Sequence, residues 1–240
     1  MKALWLALIC ALMPMYAFAQ CYMIPCRTGA TASAAAAPVW TYVDTAVNAS
    51  CAAGNSCVVT GLTSTQTNSV LIAAYEVSSG FAPNISAVSG GGGAWPLCPS
   101  TSCYESLGGV GTIDQAYNVT GSGGATSVTV TLASATSQTW IAAVAEWHCT
   151  ANCGTIALDQ IATNVTSSSC ASCTGASFSG LTGTSDICEQ LAFNNGITGY
   201  GTYTSDSTGA IPYLLNSVSG TAPTFTQPTG SFIASGMCFK

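Results

Sequence analysis

The chain has 240 residues, 48% of them hydrophobic and only 5% charged, with a formal net charge of −6 and one histidine. Three Lys or Arg side chains against nine carboxylates cannot neutralise a run of phosphates, which excludes nucleic acid as a partner and disfavours anionic membrane surfaces. The polar surface must come from Ser, Thr, Asn and Gly, a composition suited to sugar contacts or to packing between copies of the chain.

At the N-terminus, Lys2, the apolar run Ala3–Leu12 and then Ala17-Phe18-Ala19 follow the order of a secretory signal. The run is too short to span a bilayer, and no later apolar stretch reaches spanning length. A cut after Ala19, leaving Gln20 first, predicts a secreted, extracellular product without membrane insertion. Residues 20–38, ending in the low-complexity Thr28–Pro38, read as an N-terminal segment and linker. Residues 39–240 are long enough for one sizeable core and read as a single domain.

Setting aside Cys10 in the signal, the other cysteines are Cys21, Cys26, Cys51, Cys57, Cys98, Cys103, Cys149, Cys153, Cys170, Cys173, Cys188 and Cys238. An even count in an exported chain reads as disulfides. Connectivity does not follow formally from the sequence, but spacing suggests Cys21/Cys26, Cys51/Cys57, Cys98/Cys103, Cys149/Cys153 and Cys170/Cys173 as near-neighbour staples. Cys188 and Cys238 then join the last strands. Cys149-x3-Cys153 followed by Cys170-x2-Cys173 also has the spacing of a four-thiolate zinc site; an oxidising compartment favours the disulfides, and we expect no bound metal or cofactor there.

Along the chain, short runs rich in Val, Ile, Thr and aromatics are closed off by Gly, Ser, Asn or Pro. They predict strands near Trp40–Ala46, Cys57–Gly61, Ser69–Val77, Ile85–Ser89, Thr112–Val119, Ser127–Ala133 and Thr139–Cys149. Further strands are expected near Ile156–Val165, Ala176–Leu181, Asp186–Asn194, Gly199–Thr204, Ile211–Ser217 and Ser231–Phe239. Ser127–Leu132 alternates as a strand with one wet face should. Val70–Tyr75 and Trp140–Ala145 are continuously apolar, which suits strands covered on both faces.

The order of the segments "SVLIAAYEV", "ISAVSGGGGAWPL", "AYNVTGSGGATSVTVTL", "WIAAVAEW" and "DICEQLAFNNG" resembles secreted bacterial jelly-roll sandwiches of concanavalin-like lectin and glucanase architecture, over roughly residues 40–239. The expected fold is therefore an all-β, two-sheet antiparallel jelly-roll-like sandwich stapled by disulfides. The resemblance implies extracellular placement and contact with a glycan. The glucanases of this architecture carry Glu-x-Asp-x-x-Glu on one strand, a pattern missing here.

Glu146-Trp147-His148 is the most distinctive spot for chemistry. Alternation puts Glu146 and the lone His148 on one strand face, where a carboxylate beside an imidazole suits general acid–base work. Glycoside hydrolysis needs a second carboxylate, which Glu76 or Glu189 would have to supply. The competing reading has Glu146 at a strand end emerging into solvent, hydrogen-bonded to loop amides. Among the aromatics Trp40, Trp95, Trp140, Trp147, Tyr104 and Tyr117, those expected to meet a sugar ring are Trp95, Tyr104 and Trp147. Trp95 follows Gly90–Gly93 and precedes the Cys98/Cys103 staple, its competing reading being a core plug that closes one end of the sandwich, whereas Trp140 reads as core. A structural calcium held by Asp206, Asp114 or Asp159 has no diagnostic ligand spacing.

Taken together, these features predict a non-enzymatic extracellular or cell-surface domain that binds a glycan or cell-surface polymer. A self-associating subunit of a surface layer or filament, and a glycan hydrolase or lyase using Glu146, are the alternatives.

Overall fold

The structure, a computed structural model, describes residues 36–240 other than 64, 79–81, 99–102, 184, 194–196 and 218–220, and omits the side chains of 167 and 168. The expected signal peptide, nearly all of the linker and the Cys21/Cys26 pair lie outside the described residues. Twelve strands make up the regular structure, and no helix occurs among the described residues. In chain order they are β1 (Val39–Cys51), β2 (Gly54–Thr60), β3 (Ser69–Ser78), β4 (Ile85–Gly90), β5 (Glu105–Leu107) and β6 (Gly111–Asn118). The second half has β7 (Ser127–Thr136), β8 (Trp140–Ala151), β9 (Leu158–Thr174), β10 (Asp186–Phe193), β11 (Tyr213–Ser217) and β12 (Thr224–Phe239).

All ladders are antiparallel, and the first eight strands are rolled up in one pattern. β1 pairs with β8, β2 with β7 and β3 with β6, as though β1–β4 had been folded back along β5–β8. The β8–β3 and β7–β4 ladders then close the roll, giving the sheets β1-β8-β3-β6-β5 and β2-β7-β4. This is jelly-roll order. Its one irregularity is β5, which hairpins onto β6 and leaves β4 at the edge of its sheet.

The expectation of two sheets is corrected by the last four strands. They form a third antiparallel sheet, β11-β10-β12-β9, which lies on the outer face of β1-β8-β3-β6-β5. The middle sheet is therefore covered on both sides. Leu71, Ala73, Tyr75, Val144 and Trp140 pack towards Val59, Val128, Val130 and Leu132 of the β2-β7-β4 sheet. Val70, Ile72, Ala143, Ala145 and Trp147 pack towards Ile187, Leu191, Ile233, Met237 and Phe239 of the third sheet. Double coverage explains the unbroken apolar sequence of β3 and β8, since neither alternate face meets water. β7, with the third-layer position on its outer side left open, shows the alternation a half-wet strand requires.

The disulfide reading holds wherever the residues are described: Cys51–Cys57, Cys98–Cys103, Cys149–Cys153, Cys170–Cys173 and Cys188–Cys238 are bonded. The thiols of the zinc alternative are consumed by two of these bridges. Cys188–Cys238 joins residues paired in register on β10 and β12, whereas the others close short turns. Cysteine pairs of this number are compatible with an oxidising compartment.

Ala176–Leu181 and Gly199–Thr204 are not strands. Ala176 and Phe178 are buried in irregular chain on the outside of the third sheet, and Gly199 and Thr204 make isolated bridges only. Both segments carry apolar residues because they cover that sheet, which mimics a strand signal. β5 escapes detection because three residues offer no period, and β9 and β12 run longer than their apolar cores.

Candidate functional site

The residues singled out in the sequence lie in separate places. Glu146 is fully buried on the face of β8 that points to the β2-β7-β4 sheet, and its Oε1 accepts the Gln66 backbone N–H at 2.8 Å. His148, half-buried on the same face, lies with Nδ1 3.3 Å from the Ser69 hydroxyl. Glu146 is thus sealed under the loop before β3, where neither substrate nor water reaches it. Trp147 is fully buried beside the stacked rings of Tyr42 and Tyr213, at centroid distances of 6.2 and 5.6 Å. It is a core residue, which corrects its assignment as a sugar platform.

Trp95 and Tyr104 are half-buried and far apart. The Trp95 indole donates to the Gly90 carbonyl at 2.7 Å and lies on Gly91, whose positive φ of +71° makes the tight turn that a side chain would obstruct. Tyr104 donates to the Ala82 carbonyl at 2.9 Å, next to β5, which pairs with the opposite half of β6. Of the remaining rings, Trp40 and Trp140 are buried and Tyr117 packs edge-on against Phe239.

The aspartates considered for calcium do not converge. Asp114 accepts the backbone N–H groups of Ile85 and Gln115, each at 2.8 Å. Asp159 pairs with Lys240 at 3.0 Å and caps Thr182. Asp206 organises its own turn, taking the Thr208 hydroxyl and the Ile211 N–H at 3.1 Å each. Among the described residues no three His, Cys, Asp or Glu side chains gather as metal ligands would.

A different feature does have the shape of a site: a cavity of about 500 Å³ between the middle and third sheets. Its floor is a row across the middle sheet in which Val47 lies opposite Ala143, and Ala143 opposite Ala74. In the next row Ile141 lies opposite Glu76. The wall is the end of β10, Leu191 and Ala192, left uncovered because β11 pairs only with Asp186–Glu189. The lid is irregular chain, Ile197 and Tyr200 from one segment and Thr208–Ala210 from another.

The cavity exists because its lining is small. Sheets packed face to face stand about 10 Å apart, a gap that larger aliphatic side chains fill elsewhere in this core. Here Ala49, Ala74, Ala143, Ala192 and Ala210 all line it. The lid is fixed by polar contacts: Tyr200 donates to the Gly209 carbonyl at 3.2 Å, Gly209 N–H donates to Asp206, and the Tyr42 and Ser207 hydroxyls meet at 3.0 Å. Gly209 has a φ of +74°, and a Cβ there would come within 2.8 Å of the Tyr200 hydroxyl.

Glu76 is the acidic group of this cavity. Burial, the sole influence on it, pushes its carboxyl up to about 7. Behind the floor lies a second, closed polar group. Gln115, opposite Ala74 on β6, donates through Nε2 to both carboxyl oxygens of Glu189 at 3.0 and 2.8 Å, and accepts the Ser235 hydroxyl at 2.9 Å. Burial raises Glu189 well above the ordinary carboxyl range despite the Gln115 bonds. With no exposed surface, it is held as part of the core.

Comparison with known proteins adds no assignment: no family model and no curated protein matches the chain. Of the cavity residues, sequence reasoning reached only Glu76, as a partner for Glu146 on what proves to be the other face of the middle sheet. The alanines carry a signal of their own, the doubled Ala73-Ala74 and Ala142-Ala143 in the two apolar runs. The lid residues carry none.

Proposed function

We propose that this chain is a non-enzymatic extracellular binding domain that takes a compact, mainly apolar ligand into the cavity between its middle and third sheets. The observation that carries this reading is the alanine-lined cavity itself, whose size lies within the range of small-molecule sites and whose lining combines aliphatic side chains with polar groups such as Glu76. The carboxyls weighed for catalysis support binding over turnover. Glu146 and Glu189 are sealed, which leaves Glu76 without the second acid or base that glycoside hydrolysis needs. Extracellular placement is supported by the secretory pattern of the N-terminus and by five disulfides in the described part.

Saturation-transfer NMR with cyclohexylmethanol tests the cavity. The reading expects transfer to the ring protons with the native chain and its loss in Ala143→Leu, whose side chain would occupy the floor. Equal transfer in both proteins contradicts it.

A glycan ligand, the class implied by the sequence resemblance, has one supporting feature, the half-buried Trp95 ring, tied by its indole to the Gly90 carbonyl beside Gly91. A glycan-array screen of native chain and Trp95→Ala separates it from the cavity reading.

A further inference from the structure

Resting on the cavity reading above, we propose that the ligand is an amine: an apolar body that fills the alanine-lined space and an ammonium group that pairs with Glu76. Among the described residues the protein provides Glu76 with no countercharge of its own. Lys240 and His148 are the basic side chains among the described residues, and each is engaged elsewhere. Lys240 is bound to Asp159 and the Thr182 hydroxyl, and His148 contacts Ser69 on the opposite face of the middle sheet. Among the described residues no side-chain donor hydrogen-bonds the Glu76 carboxyl, and its strand neighbours across both ladders are Ile113 and Ile141.

A carboxyl in such a place is costly to ionise and gains nothing from the fold. The same position would make it an effective recognition group. An ammonium entering the cavity supplies the missing countercharge where water screens it poorly, and a charge-assisted hydrogen bond is about twice as strong as a neutral one. The body of the ligand then meets aliphatic side chains, because Ala74, Ala143, Val47, Ile141 and Leu191 line the cavity together with Glu76. The lid hydroxyls of Tyr200 and Thr208 are already engaged, with the Gly209 carbonyl and the Asp206 carboxyl. A primary or secondary alkyl amine meets these conditions, whereas a carboxylate or phosphate ligand would be repelled by Glu76.

Calorimetric titration with cyclohexylmethylamine and cyclohexylmethanol, which differ only in the polar group, tests the proposal on the intact exported chain. We expect the amine to bind at least about tenfold more tightly than the alcohol, as one charge-assisted hydrogen bond supplies. In Glu76→Gln that preference should disappear while the alcohol still binds. Equal affinity of the two compounds for the native chain, or a preference that survives in Glu76→Gln, overturns the amine assignment and leaves the cavity reading standing. Binding of neither compound overturns both.

Discussion

Ala74 on β3 lies directly opposite Ala143 on β8, and both methyl groups point towards the third sheet under the same cavity. The neighbouring row pairs Glu76 with Ile141, so one strand pair holds both the space and its acid. Two adjacent small residues in a doubly covered sheet normally mean lost dispersion contacts and a destabilised core. Ala143→Leu should therefore fold with unchanged or raised stability, since its added methylenes enter existing space. The same substitution at Ala142, which faces the well-packed other side beside Tyr75 and Val144, should cost about 1–3 kcal/mol by overpacking. Thermal unfolding of the two variants measures the contrast.

The carboxyls predict an acid-shifted stability optimum. Burial pushes Glu76 to about 7, Asp114 to about 6 and Asp186, which also shares space with Asp159, to about 7, and raises Glu189 well above the ordinary carboxyl range. A group whose pKa is raised on folding holds its proton more tightly in the folded chain. Stability is therefore lost as pH rises from the unfolded to the folded pKa. For Glu76, Asp114 and Asp186 that window runs from about 4 to 7. Asp44 and Asp159 act in the opposite sense. Although burial opposes it, Thr63 and Thr45 hold the first, and Thr182 and Lys240 the second, below the ordinary range. Their contribution disappears only at lower pH. Calorimetric scans should place the highest Tm near about pH 4–5, falling towards pH 8, with a shallower fall in Glu76→Gln.

Gln115 and Glu189 join the middle sheet to the third through a hydrogen-bonded pair with no access to water. Glu189→Gln keeps the shape and an acceptor oxygen for the Gln115 amide, so it should cost less than about 1 kcal/mol. Gln115→Leu removes the donor and strands the carboxyl, and should cost about 2–4 kcal/mol. Denaturant unfolding of the two single variants checks the order.

The bridges differ in the loops they close. Cys188–Cys238 spans 50 residues and Cys170–Cys173 only 3. In the chain-entropy model the first stabilises by about 4 kcal/mol and the second by about 2. Paired Cys→Ala replacements should follow that order in denaturant midpoint.

The sequence conveys the layers better than the site. The unbroken apolar character of Val70–Tyr75 and Trp140–Ala145 is the direct trace of a sheet covered twice, and the alternation of Ser127–Leu132 that of a sheet covered once. Which strands form the second cover is not legible, because Ile187, Leu191 and Phe239 would be equally buried in a two-sheet sandwich. Glu146 and Trp147 attract attention as polar and aromatic residues at a strand end. Their burial is decided by the loop carrying Gln66 and by β11, both distant in sequence. The cavity is written in small residues, whose significance emerges only when two sheets and a lid are placed around them.

The central claim is that the space above Ala143 receives a ligand, and saturation-transfer NMR on three proteins tests it most directly. The account predicts transfer to cyclohexylmethanol in the native chain and in Trp95→Ala, and its loss in a folded Ala143→Leu. Absence of transfer to the native chain, or transfer abolished by Trp95→Ala and untouched by Ala143→Leu, would contradict it.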